Sequence, residues 1–249
     1  MRSIFGVDVG GSGVKGALVD IESGKLLTDR KRIPTPAPST PDAVIEVIAA
    51  LVDGQVWDGP LGVAIPSVVV NGVALTAANI DDAWIGTDVA VAVKAVCGRE
   101  TVVTNDADVA GIAEMRCGAG RDTDGVVILL TFGTGVGSAM FVDGTLVPNT
   151  EFGHLEFEGD AAELSTAARL VDDDELSMKM WAKTVDDYLA MLYRVFTPQL
   201  IIFGGGISKK FEQYGKWISV PCPVVPARLR NNAGIVGAAV AAAERFREG

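Results

Sequence analysis

The sequence predicts an α/β protein built from two similar lobes, and three observations carry that prediction. Short apolar, strand-like runs alternate with helical stretches along the whole chain. A glycine-knotted hairpin near the start, Ile4 to Val19, has a counterpart from Leu129 to Val142. Laid over each other without a gap, Gly10 meets Gly133, Val19 meets Val142 and Asp20 meets Asp143, the pattern of a worn internal duplication. Finally, 249 residues, 49% of them hydrophobic, suit one large domain or two small ones with ample core.

The elements follow in order. Ile4 to Val9 is an apolar run with Asp8 set in it, Gly10-Gly11-Ser12-Gly13 is a turn, and Val14 to Val19 returns. Pro34 to Pro38 is a loop. Thr40 caps a helix that has Pro41 at its first position and runs to about Val52. Leu61–Ile65 is a short buried strand, Thr87–Val96 a helix, Thr101–Thr104 a strand and Asp106–Arg116 a helix. After the second hairpin, Ser177 caps a helix in which Trp181, Val185, Tyr188, Leu189, Leu192 and Phe196 keep helical spacing. That stripe supplies either core or a subunit interface. Leu200–Phe203 is a buried strand ending at Gly204-Gly205-Gly206, and Ala233–Phe246 is an Ala-rich last helix. The lobes are expected at residues 1–104, joined by the last helix (about 233–249), and 105–232.

Composition removes several function classes. With 21 Lys+Arg against 32 Asp+Glu the net charge is −11, against a nucleic-acid binder that needs a basic stripe. No apolar run approaches the roughly 20 residues of a membrane helix. The first residues place Asp8 where a secretory signal needs apolar side chains, which predicts a cytoplasmic protein. Cys97, Cys117 and Cys222 are widely spaced and His154 is the single histidine, so neither a disulfide framework nor a His/Cys zinc cage is expected. No G-x-S-x-G elbow is present for serine hydrolase chemistry.

Four clusters can carry chemistry. In Asp8-Val9-Gly10-Gly11-Ser12-Gly13-Val14-Lys15, glycines let backbone N–H groups approach phosphate, Lys15 adds a point charge, and Asp8 at a strand end can hold Mg²⁺ through water. It lacks Walker spacing, and the alternative is a plain glycine-rich turn. Thr131-Phe132-Gly133-Thr134-Gly135 offers hydroxyls and N–H groups of the same kind. The two hairpins as a pair can clamp one polyphosphate chain from both sides. Thr104-Asn105-Asp106-Ala107-Asp108 closes a strand and opens a helix, a common place for an α/β active site. Asp106 suits a helix cap and a general base equally, and Asp108 reads as a first-turn acid favoured by the helix dipole. Glu151-Phe152-Gly153-His154-Leu155-Glu156 flanks a histidine with acids in a loop, a set able to hydrogen-bond sugar hydroxyls or to serve structure alone.

Together these segments resemble the ROK family of sugar kinases, within the actin-like, hexokinase-like ATPase superfamily. The resemblance also rests on Ala77-Ala78-Asn79-Ile80-Asp81, on Phe203-Gly204-Gly205-Gly206-Ile207-Ser208-Lys209-Lys210 and on Leu229-Arg230-Asn231-Asn232-Ala233-Gly234. It covers essentially the whole chain and is nearest to the family's branch of polyphosphate-using glucokinases. It implies duplicated ribonuclease-H-like lobes around a cleft, a homodimer, and transfer of a phosphoryl group from polyphosphate or ATP to the 6-hydroxyl of glucose. By resemblance Asp106 is the base; Asn79, Asn105, Glu151, His154 and Glu163 hold the sugar with it; Asp8 organises Mg²⁺. Gly10, Gly11, Ser12 and Lys15, with Thr131, Gly133, Thr134 and Gly135, wrap the phosphates. Gly204, Gly205 and Gly206 receive the nucleoside or the distal phosphoryl chain.

The sequence departs from the family in places. Many members carry a Cys-rich zinc loop after the histidine; between His154 and Cys222 this chain has no cysteine, so no zinc is expected, as in the polyphosphate branch. Ser67 stands where the family usually has glycine near the sugar, which narrows the pocket or adds a hydrogen bond. Lys15, Lys209, Lys210, Arg228 and Arg230 form either a basic track for polyphosphate or ordinary solvated charges. The alternatives to a polyphosphate glucokinase are a strictly ATP-dependent hexokinase acting on glucose or mannose, a non-catalytic sugar sensor, and a pantothenate kinase of the same superfamily. The intact Asp8, Asp106 and hairpins oppose the sensor, and the Glu151–His154 segment opposes the pantothenate kinase.

Overall fold

The computed structural model describes residues 3–77 and 80–246. The chain forms two compact units, Met1–Cys117 with Asn232–Gly249, and Gly118–Asn231. In the first unit the elements are β1 (Ser3–Gly10), β2 (Gly13–Asp20), β3 (Lys25–Leu26), β4 (Lys31–Ile33), α1 (Pro41–Val52), β5 (Leu61–Ile65), β6 (Val69–Val70), β7 (Val73–Ala74), α2 (Val89–Cys97), β8 (Thr101–Asn105) and α3 (Asp106–Cys117). The second unit runs through β9 (Val126–Phe132), β10 (Val136–Val142), β11 (Thr145–Val147), β12 (Glu156–Phe157), β13 (Asp160–Ala161), α4 (Glu163–Thr166), α5 (Arg169–Asp172), α6 (Met178–Phe196), β14 (Leu200–Gly204), α7 (Phe211–Tyr214) and β15 (Val224–Pro226). The chain then returns to the first unit with α8 (Ala233–Arg245).

The two main sheets repeat one topology. The first has strand order β3-β2-β1-β5-β8, with β4 also on β2; the second has order β11-β10-β9-β14-β15. In each, an antiparallel hairpin is followed by two parallel strands. The duplicated hairpins are thus the first two strands of the two sheets. Their turns differ. Gly10 pairs with Gly13 across two residues, whereas Phe132 pairs with Val136 across three.

In the first unit Val44, Ile45, Ile48 and Leu51 of α1 join Val7, Val9, Val63 and Ile65 in one buried core. The other side of the sheet carries α8. Gly6 and Gly62 are register partners on β1 and β5. A Cβ on Gly6 would overlap the Ile235 carbonyl, and one on Gly62 the Ala238 carbonyl. On α8, a Cβ on Gly237 would overlap the Val109 carbonyl of α3. Sheet, α8 and α3 therefore stack backbone to backbone. This packing holds α3 in the first unit, so the units divide after Cys117, where the sequence reading divided the chain after Thr104.

The second unit buries the stripe of α6. Trp181, Val185, Tyr188, Leu189 and Leu192 are fully buried with Ile128, Leu130 and Phe203 of the sheet, and Phe196 is partly buried against them. The stripe is therefore core, not a subunit interface. Edge-to-face contacts fix its rings, with Trp181 at 5.6 Å from Phe132 and 5.1 Å from Tyr214. Ser177 caps α6 through the Met180 N–H at 3.3 Å, whereas Thr40 makes no side-chain cap to α1. No helix among the described residues is long and apolar enough to cross a membrane.

Candidate active site

Strands β1, β5 and β8 run parallel, with Asp8, Ala64 and Thr104 in one row. Their carboxyl ends therefore deliver Asp8, Ser67 and the Asn105-Asp106 pair to the same end of the sheet, where open α/β sheets bind ligands. Asn105 ends β8 and caps α3: its Oδ1 accepts from the Ala107 N–H at 2.8 Å and the Asp108 N–H at 3.1 Å. Its Nδ2 donates to the Ser67 carbonyl at 3.1 Å. The cap is thus Asn105. Asp106 follows it as the first helical residue, with its exposed side chain accepting from the Ala107 N–H at 2.8 Å. Asp108 occupies the first turn, as expected, but is buried.

Ser67 is buried as well, and its hydroxyl donates to the Thr76 carbonyl at 2.7 Å. The hydroxymethyl group expected to alter the sugar pocket instead ties its own loop together, and its carbonyl orients Asn105. Asn79, the further sugar residue implied by resemblance, lies outside the described residues.

The first hairpin places Lys15 opposite Asp8 across the β1–β2 pair, and Lys15 Nζ lies 3.2 Å from Asp8 Oδ2. Part of the charge expected to meet phosphate is therefore balanced by Asp8. Gly234 brings the first turn of α8 against the same carboxylate: a Cβ there would stand 2.7 Å from Asp8 Cγ. A helix N-terminus favours an anion at this place. Two residues that the sequence reading missed pin the turn. Arg32 Nη2 donates to the Ser12 carbonyl at 2.6 Å, with its guanidinium where a Gly13 side chain would be, and Thr35 Oγ1 donates to the Gly10 carbonyl. These donors occupy carbonyl oxygens that would otherwise repel an approaching phosphate. The only sequence signal was a basic residue one strand beyond the hairpin.

The second unit assembles the remaining residues. Glu163 opens α4 and its Oε2 accepts from the Val136 N–H at 3.2 Å. A Cβ on Gly135 would meet that carboxylate, so a side chain there would push Glu163 off the Val136 N–H. Glu163 Oε1 is 3.8 Å from His154 Nε2. Glu151 belongs to the same group: burial pushes its carboxyl above the usual range, the nearby His154 lowers it and Glu163 raises it. The loop that carries Glu151 and His154 is held from beneath. Ser138 Oγ donates to the Thr150 carbonyl and accepts from the Phe152 N–H at 2.9 Å, and Tyr188 donates to the Phe152 carbonyl at 3.0 Å. Burial pushes the Tyr188 phenol well above its ordinary value, so it stays a donor. Ser138 and Tyr188 were invisible as site residues because they sit in a strand and a helical core stripe.

Thr131 and Gly204 are register partners on β9 and β14, and Gly205, at φ 77°, packs on the Phe132 backbone. The Gly133–Gly135 and Gly204–Gly206 loops therefore adjoin at the carboxyl ends of parallel strands. A Cβ at Gly133 or Gly206 would meet nothing within 4 Å, so both loops present open backbone.

The ROK family profile matches residues 4–165. The chain belongs to the ROK family. This ROK protein is 49% identical over 241 residues to the polyphosphate glucokinase of Mycobacterium tuberculosis (strain CDC 1551 / Oshkosh), covering 96% of this chain and 91% of that protein. Its fold matches the crystal structure of inorganic polyphosphate/ATP-glucomannokinase from Arthrobacter sp. strain KM with a TM-score of 0.92 at 43% identity, over 99% of this chain and 100% of that one. It also matches a ROK family glucokinase from Streptomyces griseus in complex with glucose and AMPPNP, with a TM-score of 0.81 at 25% identity, over 99% and 100% of the two chains. The repeated sheet topology is thus that of the hexokinase-like ROK kinases.

Proposed function

We propose that this ROK protein is a polyphosphate- and ATP-dependent glucokinase that transfers the terminal phosphoryl group of its donor to O6 of glucose, giving glucose 6-phosphate. The observation that carries the reading is Asp106, an exposed carboxylate at the start of α3 whose strand end is immobilised by Asn105. The near-half identity to a polyphosphate glucokinase along almost the whole chain supports the donor and the acceptor.

In this reading the Asp106 carboxylate takes the proton of the 6-hydroxyl as the O6–phosphorus bond forms and the bridging phosphorus–oxygen bond of the donor breaks. A carboxylate is a weak base, so it works by being aimed at the hydroxyl. Glu151, His154 and Glu163 hold the sugar hydroxyls. Asn105 has one amide N–H left for the sugar after its three bonds to protein. Gly10–Ser12 and Gly133–Gly135 present backbone N–H groups to the phosphates, and positioning with charge neutralisation is most of what phosphoryl transfer asks. The reading carries a cytoplasmic homodimer with no nucleic-acid or membrane partner.

Mg²⁺ fits the donor set. One carboxylate, Asp8, held between Lys15 and the first turn of α8, matches an ion that keeps most of its waters and takes donor phosphates as its other ligands. When bound, the ion neutralises charge on the donor's phosphoryl oxygens. Gly234→Ala then pushes a methyl group into the Asp8 side chain. It is expected to raise the Mg²⁺ concentration for half-maximal rate about tenfold with little change in melting temperature; an unchanged requirement removes Asp8 from the ion's site.

The raised pKa of Glu151 predicts a pH effect. If the sugar is held by the ionised carboxylate, protons compete with glucose as pH falls through a pKa lying above the ordinary 4.5. The glucose KM is expected to rise on acidification before an unperturbed carboxylate would titrate, and Glu151→Gln should flatten the profile. Folding has the opposite sign. The folded state holds this proton more tightly than the unfolded one, so ionising Glu151 lowers stability as pH rises through the same window.

One donor site serves both donors in this reading. At saturating glucose, added polyphosphate should raise the KM for ATP without lowering kcat, measured by ADP formation. Non-competitive inhibition would give the donors separate sites.

A further inference from the structure

The core face of α6 is apolar except at two points. Trp181 and Tyr188 lie seven residues apart, about two helical turns, on the same stripe, and both are fully buried. Ala182, Val185, Leu189 and Leu192 fill the rest of that face. Each of the two rings carries a hydrogen-bond donor, and each donor meets the backbone of a segment that bears sugar residues. Tyr188 Oη donates to the Phe152 carbonyl at 3.0 Å, in the turn between Glu151 and His154. Trp181 Nε1 donates to the Thr166 carbonyl at 2.8 Å, at the end of the short α4 that Glu163 opens. Phenylalanine at either place would bury a ring without desolvating a polar group. The Phe152 carbonyl also accepts from the Leu155 N–H at 3.1 Å, so Tyr188 adds a tie to a carbonyl that is already bonded.

Between these two anchors the chain closes a hairpin. β12 and β13 pair Glu156 with Ala161 and Phe157 with Asp160. Glu158 at φ 56° and Gly159 at φ 91° form the turn, both left-handed as the favoured two-residue hairpin turn requires. The Ala162 N–H donates to the Leu155 carbonyl at 2.9 Å and continues the register. The next pair outward is His154 and Glu163, whose Nε2 and Oε1 lie 3.8 Å apart. The Phe157 ring stands edge-on to Tyr188 at 5.7 Å, so the hairpin rests on the same ring that holds the turn. We infer that Trp181 and Tyr188 are positioning residues for the sugar site: one helix holds the Glu151–His154 turn and the Glu163 helix by their backbones, and so fixes the spacing of the three side chains that meet the sugar. The inference rests on the sugar reading above. Being wholly buried, both residues act through the groups they hold.

The test compares Tyr188→Phe and Trp181→Phe with Ile201→Val, which removes one buried methyl group from the same core and leaves both ties in place. All three should lower the melting temperature by a few degrees. In the two aromatic variants the glucose dissociation constant, measured by calorimetry without donor, is expected to rise about fivefold and the glucose KM with it, while kcat stays within about twofold. Ile201→Val should leave glucose affinity unchanged. His154 is the single histidine, so its imidazole proton resonances are read without overlap from another. They should shift in Tyr188→Phe, which keeps its ring, and hold still in Ile201→Val. Tyr188→Phe decides alone if Trp181→Phe does not fold. Unchanged glucose affinity in Tyr188→Phe, or an equal loss in Ile201→Val, would make these donors ordinary core bonds and overturn the inference. If the unmodified protein binds no glucose, the sugar reading fails by itself. The imidazole signals then decide: a shift in Tyr188→Phe and not in Ile201→Val sustains the positioning of the cluster, and unmoved signals overturn it.

Discussion

Asp106→Ala is expected to lower kcat by about 10²–10⁴-fold, the contribution typical of a positioned base. The fold should survive the change. Asp106 is exposed, and although the substitution removes its own bond from the Ala107 N–H, the Ala107 and Asp108 N–H groups keep the Asn105 side chain as their acceptor. What α3 loses is a first-turn acid, roughly 0.3–1 kcal/mol of helix-dipole interaction. Glucose binding, measured by calorimetry without donor, should stay within a few-fold, because the other sugar residues are untouched. Asp106→Asn, which keeps the shape and removes the base, should lose as much turnover. Asn105→Ala makes the useful contrast. It removes a cap worth about 1 kcal/mol and releases Asp106 from its anchored strand end, so stability and turnover should fall together. Near-normal turnover in Asp106→Ala would remove the aspartate from the chemistry.

The largest stability effect is expected at the glycines beneath and above α8. Gly62→Ala places a methyl group inside the Ala238 carbonyl, and Gly237→Ala does the same to the Val109 carbonyl. Both contacts are with backbone, so no rotamer change relieves them and a whole helix must move. Overpacking a core costs about 1–3 kcal/mol where side chains can yield, and here the cost should reach or exceed the top of that range. For a chain of this size about 3 kcal/mol lowers the melting temperature by roughly 6–12 °C. Thermal unfolding checks it, and an unchanged midpoint would mean that α8 does not lie on the sheet as described. The same packing has a functional side. It sets the first turn of α8, and with it Gly234, against Asp8. A shifted helix should therefore raise the Mg²⁺ requirement as well as lower stability.

Local pattern made much of this legible. The two hairpins, the run of α1 from Pro41 to Val52, the strand Leu61–Ile65 and the Ser177 cap follow from periodicity and capping chemistry, which act over a few residues. Long-range contacts hid the rest. Asn105 caps α3 because Ser67, far away in sequence, orients its amide. The pairing of Glu163 with Val136 and His154 depends on how α4 folds back onto the second hairpin. The early boundary between units came from reading Asp106–Arg116 forward into the next lobe. Only the returning α8 shows where that helix packs. Lys15 and Lys210 looked available for phosphate because sequence does not show their acidic neighbours across a strand pair and between helices.

The most direct test of the central claim gives the purified protein glucose, Mg²⁺ and either polyphosphate freed of ATP or ATP freed of polyphosphate, and follows glucose 6-phosphate. The account predicts product with each donor, and with polyphosphate in the complete absence of nucleotide. Product with ATP alone would contradict the donor assignment, and no product with either would contradict the assignment of a glucokinase.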